Sequence, residues 1–290
     1  MEPQLVADYA CHTGENPLWH PMEKKVYWTD IPQGRIFRYD PATGEHELCY
    51  EGEVVGGFTV QADGALLLFM AKGAVATWRD GQLDYIIEEL PDERDNRFND
   101  VIADPVGRVF CGVMSTKDRP GRLYRLDTDG TLTVLLEGIG VSNGLGFTPD
   151  RRQLYYTDSS ARKIYLFDYE SETGAIYNQR TFVEVPDAEG EGWPDGLTVD
   201  AEGYVWSARW DGGCIVRYAP DGTEERRIKF PAKKVASLTF GGKDYTDLYV
   251  ICAGGQNKDT DGAGAGALFR LNLGIRGVPE FFSRVGLGSA

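Results

Sequence analysis

The sequence predicts an all-β chain: a six-bladed β-propeller of four-stranded antiparallel blades around a central axial metal site. Three observations predict it. A motif consisting of a polar residue, one spacer, a brief strand and a turn recurs with anchors at 15, 56, 99, 143, 195 and 236, at intervals of 41, 43, 44, 52 and 41 residues. A strand-rich repeat of roughly 40–50 residues is the mark of a propeller. Between anchors the chain falls into four short alternating or β-branched runs separated by turn residues. Finally, four anchors carry side-chain oxygen, Glu15, Asn99, Asn143 and Asp195. Equivalent positions of a closed ring face one axis, so these four side chains converge.

The elements follow in order. The first repeat opens with E-N-P-L-W-H-P and gives strands at 17–20, 25–31, 35–40 and 45–50, with P-A-T-G as a turn. The second, G-G-F-T-V-Q-A-D-G, gives 58–60, 65–71, 74–79 and 83–88. The third, N-D-V-I-A-D-P, gives 101–103, 108–114, 122–127 and 132–136. The fourth, N-G-L-G-F-T-P-D, gives 145–147, 153–158, 163–168 and a longer 175–185. The fifth, D-G-L-T-V-D-A-E-G, gives 197–199, 204–210, 214–218 and 224–230. The sixth, A-S-L-T-F-G-G-K-D, gives 238–240, 247–253, 267–271 and 280–284. Residues 5–9 form a spare strand that pairs with the last blade and closes the ring, removing a sheet edge. A length of 290 residues allows one or two domains; the repeat decides for one, residues 1–290.

The meander assigns the loops to faces. Short turns such as D-P-V-G and D-A-E-G fall at the bottom. The anchors and the long loops 90–98, 115–121, 185–194 and 254–266 fall at the top, where they serve as access or lid elements.

Composition narrows the partners. A formal net charge of −15 argues against nucleic acid and anionic membranes. No apolar run reaches the roughly 18 residues of a membrane span, and the first residues lack a signal-peptide pattern. Five scattered cysteines without C-x-x-C read as reduced, mostly buried thiols. The expectation is a cytoplasmic enzyme, a monomer or weak homo-oligomer.

Glu15, Asn143 and Asp195 offer two carboxylates and an amide oxygen. Hard oxygen donors suit Ca2+, Mg2+ or Mn2+. Arg97 lies two residues before its anchor, in a ring with Thr13, Val54, Val141, Trp193 and Lys234. Its guanidinium can hold a carbonyl, hydroxyl or carboxylate of a ligand; Trp193 either walls the pocket or packs on a neighbour. The chemistry these residues support is metal-assisted hydrolysis. In it Asp195 serves as ligand, proton acceptor or both, and Asn99 positions substrate or stabilises an oxyanion. Other templates fail: there is no G-x-S-x-G and no H-E-x-x-H. Of the three histidines, His20 and His46 fall toward the bottom face, and only His12 lies near Glu15. N-K-D-T-D-G from Asn257 imitates an EF-hand loop but has Leu268 where a bidentate Glu is required; it reads as a flexible Gly-rich lid.

G-E-N-P-L-W at Gly14, R-F-N-D at Arg97, S-N-G-L-G-F at Ser142, P-D-G-L-T-V-D at Pro194 and F-G-G-K-D-Y at Phe240 resemble the gluconolactonase family, which includes regucalcin (senescence marker protein) and luciferin-regenerating-enzyme-like proteins. The resemblance spans nearly the whole chain. It implies one divalent ion on the axis, Ca2+ first, with Zn2+, Mn2+ or Mg2+ as alternatives, bound by Glu15, Asn143 and Asp195. It implies substrate contacts from Arg97 and Asn99, and hydrolysis of sugar lactones to aldonic acids with Asp195 as base. One departure stands out. Where regucalcin-like members carry an acidic pair, G-V-M-S-T-K-D places Thr116 and Lys117. Lys117 either favours a lactone bearing carboxylate or phosphate, or faces solvent. Two other functions fit the same residues: a phosphotriesterase or aryl esterase, and a non-catalytic calcium-binding propeller.

Overall fold

Six four-stranded antiparallel sheets make up the computed structural model, which describes residues 2–287. Blade 1 comprises Gly14–His20, Lys25–Asp30, Arg35–Tyr39 and His46–Glu51. Blade 2 comprises Val55–Val60, Leu66–Met70, Val75–Arg79 and Gln82–Ile87. Blade 3 comprises Phe98–Ala103, Val109–Val113, Gly121–Leu126 and Leu132–Ile139. Blade 4 comprises Ser142–Phe147, Gln153–Asp158, Lys163–Glu170 and Ala175–Glu184. Blade 5 comprises Trp193–Val199, Val205–Trp210, Cys214–Tyr218 and Glu224–Lys229. Blade 6 comprises Val235–Gly241, Asp247–Cys252, Ala267–Asn272 and, from the other end of the chain, Gln4–Asp8.

Composition grades from axis to rim. The inner strands Val55–Val60, Ser142–Phe147 and Val235–Gly241 are buried at every residue, whereas the outer strand Glu224–Lys229 carries mostly charge and is largely accessible. Six apolar clusters fill the six blade-to-blade interfaces. Phe58 and Leu68 pack on Tyr27 and Ile36 between blades 1 and 2, and Tyr249 and Ile251 pack on Trp28 and Phe37 between blades 6 and 1. Every blade therefore buries its apolar faces against two neighbours, and closure of the ring completes the last interface.

The sixth blade differs from the sequence expectation. The strand expected at 5–9 does pair with the last blade and close the ring, but Gln4–Asp8 is the fourth strand of that blade, on Ala267–Asn272, and not a spare one. Residues 280–284 are not a strand of this blade. The C-terminal segment instead crosses the bottom of the ring, with bridges Asp200↔Gly277 and Gln61↔Ser283. Gly277 and Pro279 interrupt any regular ladder there, and the outer edge of blade 6 is already paired. Loop 254–266 also differs. It folds into the turn Gly255–Asn257 and the short helix Lys258–Asp261, with Asp261 buried and bonded to Lys234 at 2.6 Å. Its acid is thus committed to a lysine, which is neither a calcium loop nor a loose lid. Among the described residues no helix is long and apolar enough to cross a membrane, and the five cysteines are free.

Candidate functional site

The local feature that builds the site is a β-bulge. In all six blades the register between the first and second strands slips at the anchor: between Glu15 and Leu18, Val55 and Gly57, Phe98 and Val101, Asn143 and Leu145, Pro194 and Leu197, and Val235 and Ser237. A bulge bends its strand and re-aims the side chain it carries, here toward the axis. The inner strands also crowd one another. A Cβ on Gly144 would lie 2.5 Å from Leu197 N, and one on Gly196 would lie 2.2 Å from Ser237 Oγ. The glycine after Asn143 and after Asp195 is therefore required by close approach.

Glu15, Arg97, Asn99, Asn143 and Asp195 line one cavity of about 430 Å3 at the top of the axis, together with Met114, Val141, Ser159, Trp193, Trp210 and Asp211. Glu15, Asn99, Asn143 and Asp195 are only 3–5% exposed. Lys117 is exposed on the loop between the second and third strands of blade 3 and is not part of the cavity wall. Of the ring that contains Arg97, Thr13, Val141 and Trp193 reach the wall, while Val54 and Lys234 do not. Below the anchors the axis narrows to a channel of about 50 Å3, lined by Asp100, Leu145, Leu197 and, from the C-terminal segment, Glu280, Phe281 and Phe282.

One hydrogen-bond chain crosses three blades and leaves no choice of direction. Pro194 O accepts from Ser159 Oγ at 2.6 Å. A carbonyl only accepts, so Ser159 donates there and accepts from Asn143 Nδ2 at 2.7 Å. Asn143 Oδ1 then faces inward and accepts from Asn99 Nδ2 at 2.7 Å. Asn99 Oδ1 accepts from Arg97 Nη1 at 2.6 Å, and a guanidinium only donates. Both ends of the chain thus demand the same amide orientations. Asn99 Nδ2 also donates to Ser142 O at 2.7 Å, which engages both its N–H groups. Arg97 Nη1 is likewise engaged by Asn99 and Phe98 O, while its Nε and Nη2 have no protein partner among the described residues.

The carboxylates are strained electrostatically. Burial pushes Glu15 well above the usual carboxylate range, reinforced by Asp195 and Asp100 and opposed by Arg97. Burial does the same to Asp195, reinforced by Asp100, and raises Asp100 to about 7 against the pull of Arg97. Glu15 Oε2 and Asp100 Oδ1 are buried with no hydrogen-bond partner. A buried carboxyl oxygen without a partner is costly, and a divalent cation is a partner that would fit it and favour its charged form. Among the described residues no three His, Cys, Asp or Glu side chains converge; the donor set is two carboxylates and one amide oxygen, all hard.

Comparison with known proteins completes the picture. The model of the SMP-30/gluconolactonase/LRE-like region matches residues 13–254. The chain belongs to this family. Pentonolactonase XacC of Haloferax volcanii is 50% identical over 290 residues, covering 98% of each chain. Regucalcin of Bos taurus is 31% identical over 287 residues, covering 93% of this chain and 94% of that one. Among solved structures, a regucalcin from Agrobacterium tumefaciens superposes with a TM-score of 0.90 at 24% identity, covering 98% and 97%. The family match takes in every anchor but neither Gln4–Asp8 nor the C-terminal segment.

Among the cavity and channel residues to which the sequence assigned no role are Ser159, Trp210 and Asp100. Ser159 and Trp210 sit at the top of the second strands of blades 4 and 5, a place the meander topology itself marks as facing the site. Asp100 stands where the glycine follows the anchor in blades 4 and 5, and its carboxylate there was the available signal.

Proposed function

We propose that the chain is a divalent-metal-dependent hydrolase that opens sugar lactones to aldonic acids. The observation that carries this reading is the partnerless buried oxygen of Glu15 beside Asp195 and Asn143, in a cavity of small-molecule size. The pentonolactonase relative at 50% identity supports the substrate class. A divalent cation held by Glu15, Asn143 and Asp195 would polarise the lactone carbonyl and lower the pKa of a bound water. Ca2+ is the first choice for such hard, mixed oxygen donors, with Zn2+, Mn2+ and Mg2+ as alternatives.

The chain's own groups have distinct tasks. Asp195 takes the proton of the attacking water. The hydroxyl adds to the acyl carbon, the acyl C–O bond of the ring breaks, and the ring oxygen leaves as an alcohol, taking the proton that Asp195 accepted. Arg97 presents its free Nε–H and Nη2–H groups to the carbonyl or a hydroxyl of the substrate. Asn99 has no N–H to spare, so its task is to orient Arg97 and Asn143. Lys117 meets only substrate that projects beyond the cavity. The free N–H groups of Arg97 favour an enzyme over a calcium-binding scaffold, which needs no donor for a ligand. Free, mostly buried thiols fit a cytoplasmic setting.

Asp195→Asn tests the assignment. It keeps the size of the side chain but removes the carboxylate that would serve both as proton acceptor and as charged metal ligand. Turnover of pentonolactones, followed by proton release, should fall by about 100-fold or more while circular dichroism stays unchanged. Undiminished turnover would remove Asp195 from the chemistry, and activity toward phosphotriesters in preference to lactones would move the site to the esterase alternative.

A further inference from the structure

The chain has six tryptophans, and four of them, Trp19, Trp28, Trp78 and Trp206, are buried in the blade interfaces. The other two stand at the cavity mouth. Trp193 and Trp210 are direct cross-strand partners in blade 5, so both indoles project from one side of that sheet. Both line the cavity. Trp193 is 41% exposed, and Trp210 is half-buried.

Neither ring is loose. The Arg162 guanidinium lies 5.4 Å from the Trp193 ring centre, and Arg162 is itself fixed by donating to the carbonyls of Val185, Pro186 and Gly192. The Lys234 ammonium lies 5.9 Å from the Trp210 ring centre and is tied to Asp261. Cations on aromatic faces hold the rings in place, so little side-chain freedom is lost when a ligand covers them. Trp193 stands two residues before Asp195, on the bulged strand that aims that carboxylate. The cavity therefore has two unlike halves: a polar one made by Glu15, Arg97, Asn99 and Asp195, and a rigid aromatic one made by the tryptophan pair.

A sugar lactone is built the same way. Its carbonyl and hydroxyls lie around the ring edge or on one face, and the remaining ring surface is C–H. We infer that Trp193 and Trp210 are specificity-determining residues, a platform that seats the C–H face of the lactone ring and turns its carbonyl toward Arg97. The platform accepts the epimer whose stacked face is free of hydroxyls and disfavours the one that would bury a hydroxyl against an indole without a partner. This inference rests on the lactonase reading of the site and adds the basis of its selectivity.

The test compares Trp193→Ala, Trp210→Ala and the corresponding Phe variants as metal-loaded full chains. The substrates are two pentonolactones epimeric at one ring carbon. Each Ala variant should raise KM by about tenfold, more than it lowers kcat, and should bring the kcat/KM ratio of the two epimers toward one. Phe should recover most of both effects. A purely structural role would lower Tm while leaving the epimer ratio intact. Wild-type KM and wild-type epimer ratio in both Ala variants would overturn the inference. A second readout does not depend on turnover. Of the six tryptophans only Trp193 and Trp210 line the cavity, so titrating metal-loaded wild type with lactone or aldonate should change indole emission, and Trp193→Phe/Trp210→Phe should abolish that change. Absence of lactone hydrolysis by wild type defeats the functional reading alone. Absence of an emission change defeats the platform.

Discussion

Ser159 illustrates how the site depends on a side chain whose bonds fix the orientation of its neighbours. Its hydroxyl joins Asn143 Nδ2 to Pro194 O and so decides which end of the Asn143 amide faces Glu15 and Asp195. Partners of this kind orient a ligand, and their loss commonly weakens metal binding by about 10–100-fold. Ser159→Ala should therefore raise the Ca2+ dissociation constant of chelator-stripped protein by about tenfold in a calorimetric titration, with Ser159→Thr close to wild type. Equal affinity in the Ala variant would show that Asn143 holds its orientation unaided. The anchors themselves were legible in the sequence because N-G-L and D-G-L recur at one phase of the repeat. Ser159 was not, because its partner Pro194 lies 35 residues away and belongs to the next blade. The employment of Asn99 was equally hidden: residue type supplies two N–H groups, and only the fold reveals that Ser142 and Asn143 take both.

At the scale of elements, the alternation of apolar and polar residues and the turn tetrads located the strands of five blades, except that the first strand of each begins before the expected 17, 58, 101, 145 or 197 and so contains its anchor. The bulges were invisible because a bulge is a relation between two strands, whereas pattern reads one strand at a time. The same limit explains blade 6. The run E-F-F-S-R at residues 280–284 has strand composition, but its place in the sheet is filled by Gln4–Asp8. Freed from the blade, the segment seals the channel, and Glu280 goes with it. Burial pushes the Glu280 carboxyl up to about 7. Such a carboxyl binds more protons folded than unfolded, so its stabilising contribution is complete below about pH 4 and is lost as pH rises through about 7. The urea midpoint of wild type should fall relative to that of Glu280→Gln between these limits. Parallel profiles for the two proteins would mean that Glu280 is hydrated and outside the seal.

The whole molecule is organised by closure. Six apolar interfaces hold six blades, and the first strand of the chain completes the last blade. The ring in turn brings Glu15, Asn143 and Asp195, from three different blades, to one point that none could build alone. The gathering leaves buried carboxylates that repel one another, with Glu15 Oε2 and Asp100 Oδ1 lacking a hydrogen-bond partner among the described residues. On the proposed reading a divalent cation would relieve that repulsion, and metal occupancy would then be tied to both stability and chemistry.

The most direct test of this account is proton release from a pentonolactone by chelator-stripped protein, before and after stepwise addition of Ca2+. Stripped protein should show no rate above the buffer blank, and recovery should saturate near one equivalent of ion, with Mn2+, Mg2+ and Zn2+ ranked in the same assay. Full hydrolysis by stripped protein, or none with any ion restored, would contradict this account.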